Sequence, residues 1–185
     1  MRRTLALVLA VSACAAESST PEVPAAAPPP CGGFDWPVGP PDASGYYDAQ
    51  PFGDNAHLGE DWNGLGGGDS DLGHPVHAIA DGIVSAAADE GGGWGNVVRI
   101  AHECGERPGA RVESLYAHLD RIDIVPGAVV LRGQPIGTIG TAGGQYLAHL
   151  HLELRAIVGA PLGEGYGERP GYLAPSDFIA RHRPR

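Results

Sequence analysis

The chain has 185 residues, enough for one domain with appendages and a sizeable buried core. Acidic residues outnumber basic ones 22 to 12, every base is an arginine, and the formal charge of −10 leaves no electrostatic footprint for nucleic acid. The terminal run Arg181-His182-Arg183-Pro184-Arg185 is the exception, and it reads as a solvated end.

Residues 1–13 read as an export signal, with Arg2 and Arg3 ahead of an apolar stretch too short to span a bilayer as a helix. The segment Val11-Ser12-Ala13-Cys14 is similar to the lipobox of bacterial lipoproteins, which implies a lipid on Cys14. An ordinary signal peptide ending near a cysteine is the alternative. Residues 17–30, rich in Pro, Ala and Ser, cannot pack a core and favour an extended tether. At about 3.1 Å per residue such a tether reaches some tens of ångströms. The expected organisation is therefore signal (1–13), lipidated cysteine and tether (14–30) and one folded domain (31–185). Lipid anchoring would place the chain in a cell envelope, with the periplasmic face of an outer membrane favoured because Ala15 and Ala16 carry no acidic retention signal.

Cys31 and Cys104 remain. An exported chain sits where disulfides persist, so a bridge is expected over two separate buried thiols, and closing that loop is worth about 4 kcal/mol. Beyond Cys31 the apolar runs are short and glycine is abundant. Residues 76–80 and 83–86 flank Asp81-Gly82, the signal of a two-residue hairpin. Further strands are expected over 96–101, 112–118, 128–131, 135–139 and 149–155, with breaks at Gly91-Gly92-Gly93, Pro108-Gly109, Pro126-Gly127 and Gly143-Gly144. That spacing predicts an all-β fold, an antiparallel sandwich or barrel-like core. One short C-terminal helix is expected, with Ser176 as N-cap and an end near His182.

The chemistry lies in scattered histidines. On a strand, His149-Leu150-His151-Leu152-Glu153-Leu154 sends both histidines and the glutamate to one face and the leucines to the core. His57-Leu58-Gly59-Glu60-Asp61 has helical spacing, but the surrounding glycines favour a loop or strand edge. Two imidazoles and a carboxylate make an open zinc set with a position free for water, and further histidines would move protons.

The order His-x-Gly-x-Asp (57–61), Pro-Val-x-Ala-x-Ala-Asp-Gly-x-Val (75–84), Gly-Asn-x-Val-x-Ile-x-His (95–102), Tyr-Ala-His-Leu (116–119), Gly-x-x-Ile-Gly (133–137) and His-Leu-His-x-Glu (149–153) resembles the LytM/lysostaphin-type zinc endopeptidases, which cut peptides of bacterial peptidoglycan. The resemblance implies the fold of that family, with its duplicated hybrid motif, and zinc on His57, Asp61 and His151. It implies His118 and His149 as the proton-handling pair. His149 is assigned as base and His118 as oxyanion stabiliser or donor to the leaving amine, though sequence leaves their exchange open. Glu153 is either a group orienting a histidine or a surface ion-pair partner. Tyr46, Tyr47 and Trp62 either wall a groove or pack as a lid, while His74, His77, His102 and His182 read as structural. Leu152 stands where the family often has an aromatic, and Gly140-Thr141-Ala142-Gly143 replaces its usual Gly-Asn-Thr-Gly.

The implied function is zinc-dependent hydrolysis of peptidoglycan stem or cross-bridge peptides by a monomeric lipoprotein. The rival is a silent or latent module that binds peptidoglycan and regulates other hydrolases, with residues 37–54 covering the site. A metal that only stabilises the fold is a third reading, disfavoured because structural zinc sites are normally closed by four ligands.

Overall fold

Leu150, Leu152 and Leu154 are fully buried on one face of their strand, and this alternation fixes the centre of the molecule. The computed structural model describes residues 31–104, 110–168 and 170–184. The signal, Cys14, the tether, the Pro108-Gly109 turn and Arg185 lie outside the described residues.

Its elements are β1 (Tyr46–Gln50), β2 (Glu60–Gly64), β3 (Pro75–His77), β4 (Gly82–Asp89), β5 (Asn96–His102), β6 (Val112–Leu119), β7 (Arg121–Ile122), β8 (Val129–Val130), β9 (Pro135–Thr138), β10 (Leu150–Arg155), β11 (Tyr172–Leu173) and α1 (Pro175–Arg181). All strand pairs are antiparallel. The larger sheet runs β1-β2-β10-β6-β5-β4-β8, with β11 extending the edge of β10 beyond β2, and the smaller runs β3-β9-β7. The expected all-β core with a single short C-terminal helix is the observed architecture.

The main core lies on the leucine face of β10, where Val76 and Ile136 of the small sheet meet Val98, Ile100, Tyr116 and the leucines, closed by Phe178 and Ile179 of α1. Each such buried aliphatic side chain contributes about 1.5–3 kcal/mol. A smaller cluster of Val97, Leu115 and Ala117 occupies the opposite face, beneath Trp94 and Leu162. Cys31 and Cys104 form the expected disulfide across a separation of 73 residues.

The hairpin at Asp81-Gly82 does not form. β3 pairs with β9 in the small sheet, while β4 pairs with β5 and β8. The intervening backbone is committed elsewhere: Ala78 exchanges hydrogen bonds with Gln134 and Gly133, and Ile79 N donates to the Tyr116 hydroxyl. Asp81 accepts from Arg132 N through its carboxylate and from His102 through its carbonyl. Ser176 is not the N-cap either. The helix begins at Pro175 after Ala174, and the Ser176 N–H and hydroxyl both donate to the buried Glu60 carboxylate. The basic tail is docked as far as Arg183, whose guanidinium bonds Asp35 at 2.7 Å and lies over the Trp36 ring.

Candidate metal centre

Register brings the donors together. β2 and β10 pair with Asp61 directly opposite His151, on the face away from the leucines. His57 lies just before β2, where an isolated bridge to Tyr166 holds it. Gly59 is required between them: a Cβ there would stand 2.7 Å from the His151 ring and 2.5 Å from the Leu152 carbonyl. The glycine of the His-x-Gly-x-Asp pattern is thus the floor on which the second histidine rests.

His57 Nε2 lies 3.1 Å from His151 Nδ1, His151 Nδ1 is 2.9 Å from Asp61 Oδ1, and His57 Nε2 is 3.5 Å from the same oxygen. Ligands held about 2.0–2.1 Å from a tetrahedral ion stand about 3.3 Å apart, so these three atoms fit one face of such a site. They are also the three residues among those described whose donor atoms could hold one ion. Electrostatics agree. Burial alone would lower the His151 pKa, but hydrogen bonds and charges from Asp61 and Glu153 lift it to about 9. A field that favours a proton on that imidazole also favours a divalent cation in its place. Burial, partly opposed by the Asp61 charge, holds the His57 pKa below its ordinary value.

Behind these donors lies a buried relay. Glu153 Oε1 accepts from His151 Nε2 at 3.3 Å, which makes Nδ1 the nitrogen that faces the other two donors. The other Glu153 oxygen is held by the fully buried Arg155, which also donates to the carbonyls of Pro161 and Leu162. His57 Nδ1 donates to the Gln50 carbonyl at 3.1 Å, which likewise turns Nε2 inward. Glu153 is therefore the orienting group, not a surface partner.

His118 reaches the same space by a broken alternation. Tyr116 points into the main core and Ala117 away from it, so regular pleating would bury His118 beside Tyr116. A register shift in the β5–β6 pairing and a φ of 62° at His118 turn its ring instead to within 4.7 Å of the His149 ring. Such backbone costs about 1–3 kcal/mol and is held by its surroundings. Here the His118 N–H bonds the Trp94 carbonyl at 3.0 Å. His149 Nδ1 donates to the Leu147 carbonyl at 2.8 Å, and its Nε2 stands 3.8 Å from Asp61 Oδ1. Burial, with His151 and His149 alongside, drives the His118 pKa down to about 3.

A cavity of about 530 Å³ opens over these five side chains. Residues 60–163 match peptidase family M23, more than half of the chain and all but the first candidate ligand. The chain belongs to peptidase family M23.

Among curated relatives, this M23 domain is 41% identical over 90 residues to the DD-carboxypeptidase/endopeptidase Mpg of Neisseria meningitidis serogroup B, covering 49% of this chain and 19% of that protein. It is 38% identical over 94 residues to the murein hydrolase activator EnvC of Escherichia coli, covering 51% of this chain and 20% of the relative. The chain thus spans about a fifth of the length of these relatives. Among solved structures, lysostaphin from Staphylococcus simulans superposes with a TM-score of 0.56 over 74% of this chain and 50% of that one, at 23% identity, a likeness of fold.

Within the M23 domain the sequence located the five polar residues and missed the walls. Trp94, Tyr146 and Tyr166 line the cavity, together with Gln50, Gln145 and Glu164. Tyr46, Tyr47 and Trp62 do not: Trp62 is buried in the main core, Tyr46 bonds His74, and Tyr47 faces solvent. Nor do residues 37–54 cover the site. Only Gln50 of that stretch lines the cavity, and the Pro37 carbonyl is held by His77 at the small sheet. His102 is fully buried between the Asp81 carbonyl and the Ser114 hydroxyl, and His182 stacks on Phe178, so both are structural as read. The relay residue Arg155 carried a sequence signal, its place two residues beyond Glu153 on the same strand face. The groove aromatics carried none, because each lies on a separate loop.

Proposed function

We propose that this M23 domain is a zinc-dependent endopeptidase acting on the stem or cross-bridge peptides of peptidoglycan. The observation that carries the reading is the convergence of His57, Asp61 and His151 on one point, with His118 and His149 beside it in an open groove. Zinc held there supplies Lewis-acid polarisation of the scissile carbonyl and acidifies a water molecule. His149 is the base: its Nδ1 hydrogen is pinned on the Leu147 carbonyl, so its bare Nε2 takes the proton. The proton taken by His149 passes to the leaving amine as the C–N bond breaks, and His118, neutral in the resting site and 4.7 Å from the His149 ring, stands beside the developing charge to stabilise it. Glu153 and Arg155 keep the His151 ring from rotating away from its donor position. In the same proposal a lipid on Cys14 holds the chain in the cell envelope.

Zinc-loaded protein incubated with purified peptidoglycan of several cross-bridge chemistries should release fragments with new amine and carboxyl ends, read by mass spectrometry. His149→Ala should release none, and Cys14→Ala should abolish labelling of the chain by radioactive palmitate in cells. The second reading, a module that regulates other hydrolases, is favoured by the likeness to EnvC, which is named a murein hydrolase activator. Against it stands the complete donor set of this chain. Intact, zinc-bound protein that cuts no peptidoglycan would favour that second reading.

A further inference from the structure

Apart from Asp61, the described residues of the cavity wall include one carboxylate, Glu164, in the loop between β10 and β11. No described lining residue is an arginine, and the chain has no lysine. Glu164 is solvent-exposed and makes no hydrogen bond or ion pair among the described residues. Its backbone, by contrast, is fastened on both sides. The Trp94 indole donates to the Gly163 carbonyl at 3.2 Å, and Leu58 N donates to the Gly165 carbonyl at 2.9 Å. Arg155 and Arg99 hold the same loop from below through the carbonyls of Leu162, Pro161 and Ala160. A loop clamped to both the groove aromatic and the segment between the first two donors keeps an unpaired negative charge at the groove.

We infer that Glu164 is a specificity-determining residue that selects peptides carrying an ammonium group near the scissile amide and disfavours a carboxylate at the same place. An unpaired, positioned carboxylate in a groove lined by neither arginine nor lysine has an ammonium ion as its natural partner. In peptidoglycan that chemistry belongs to the free side-chain amine of a diamino acid in the stem peptide. The inference deepens the peptidase reading and rests on it for the identity of the bound peptide.

The test is a set of matched stem-type peptides whose diamino-acid side chain is free, acetylated or succinylated, giving a positive, neutral or negative group at one position. Binding is followed by indole fluorescence, since Trp94 lines the groove, on zinc-loaded His149→Ala protein so that no turnover intervenes. The free amine should bind about three- to fivefold more tightly than the acetylated peptide, the scale of a partly solvated ion pair, and the succinylated peptide should bind worst. The spread should shrink as ionic strength rises from about 0.01 to about 0.15 M. Adding Glu164→Gln should bring the three constants together, and Glu164→Lys should reverse their order. Equal affinities in the parent protein, or an unchanged order in Glu164→Gln, would overturn the proposal. Binding separates the two failures: charge preference without hydrolysis by the wild type would sink the peptidase reading alone, and hydrolysis without charge preference would sink the role of Glu164 alone.

Discussion

Two residues show how burial writes function and stability into single side chains. Glu153 is wholly buried and touches no substrate space, yet it fixes which His151 nitrogen faces the other donors. Glu153→Gln keeps the shape and removes the charge, so zinc affinity should fall about 10- to 100-fold, measured by competition with a chromophoric chelator. Affinity equal to wild type would show that Asp61 alone orients the ring. His102 lies outside the candidate metal site, and burial holds its pKa at about 4 against about 6.5 in an unfolded chain. Between those values the unfolded chain binds a proton that the native state refuses. This histidine's share of stability is therefore full above pH about 6.5 and drains as pH falls toward 4, by up to about 3 kcal/mol. His102→Gln should flatten the acid side of the melting-temperature profile of metal-free protein, and an unaltered slope would move the acid sensitivity to other groups.

Elements were legible where alternation was strong and illegible where a backbone found partners outside its own pair. β10 was readable from its leucines, and so was the common face of His151 and Glu153. The Asp81-Gly82 hairpin failed because turn chemistry specifies a bend and not which strand lies beside it, and residues 78–81 bond side chains and loops across the core. β2 was hidden among glycines, since its inward residues are Glu60, Trp62 and Gly64 rather than an aliphatic run. The orientation of His118 was invisible for a related reason: it depends on a register shift between two strands, a property of the pair. The helix starts at Pro175 and not after Ser176, because the Ser176 hydroxyl serves Glu60 in β2 and not its own helix. This makes Ser176 a tie between the helix and the strand that carries Asp61. Ser176→Ala leaves the buried Glu60 with the Trp62 indole and one backbone donor, and should cost about 1–3 kcal/mol in urea unfolding. A change of only a few tenths would mean that those two bonds suffice.

At the scale of the molecule, the sheet supplies two of the three donors and the loops supply the groove. His151, Asp61 and the base of the relay stand on paired strands, whereas Trp94, Gln145, Tyr146, Glu164 and Tyr166 come from three separate connections. The five polar residues were therefore recoverable from the sequence as ordered motifs, and the walls were not. The pairing of Asp61 with His151 carries a further consequence. A slip of one residue in β10 would drive three leucines out of the main core and carry His151 into it, at several kcal/mol, so the packing holds the alignment without needing an ion. An ion bound there would then be a guest and not an architect. Protein stripped by a chelator should keep its circular dichroism and recover zinc as fast as the ion can diffuse in and shed its water, without a refolding phase; recovery on a folding timescale would mean that the metal helps to assemble its own address.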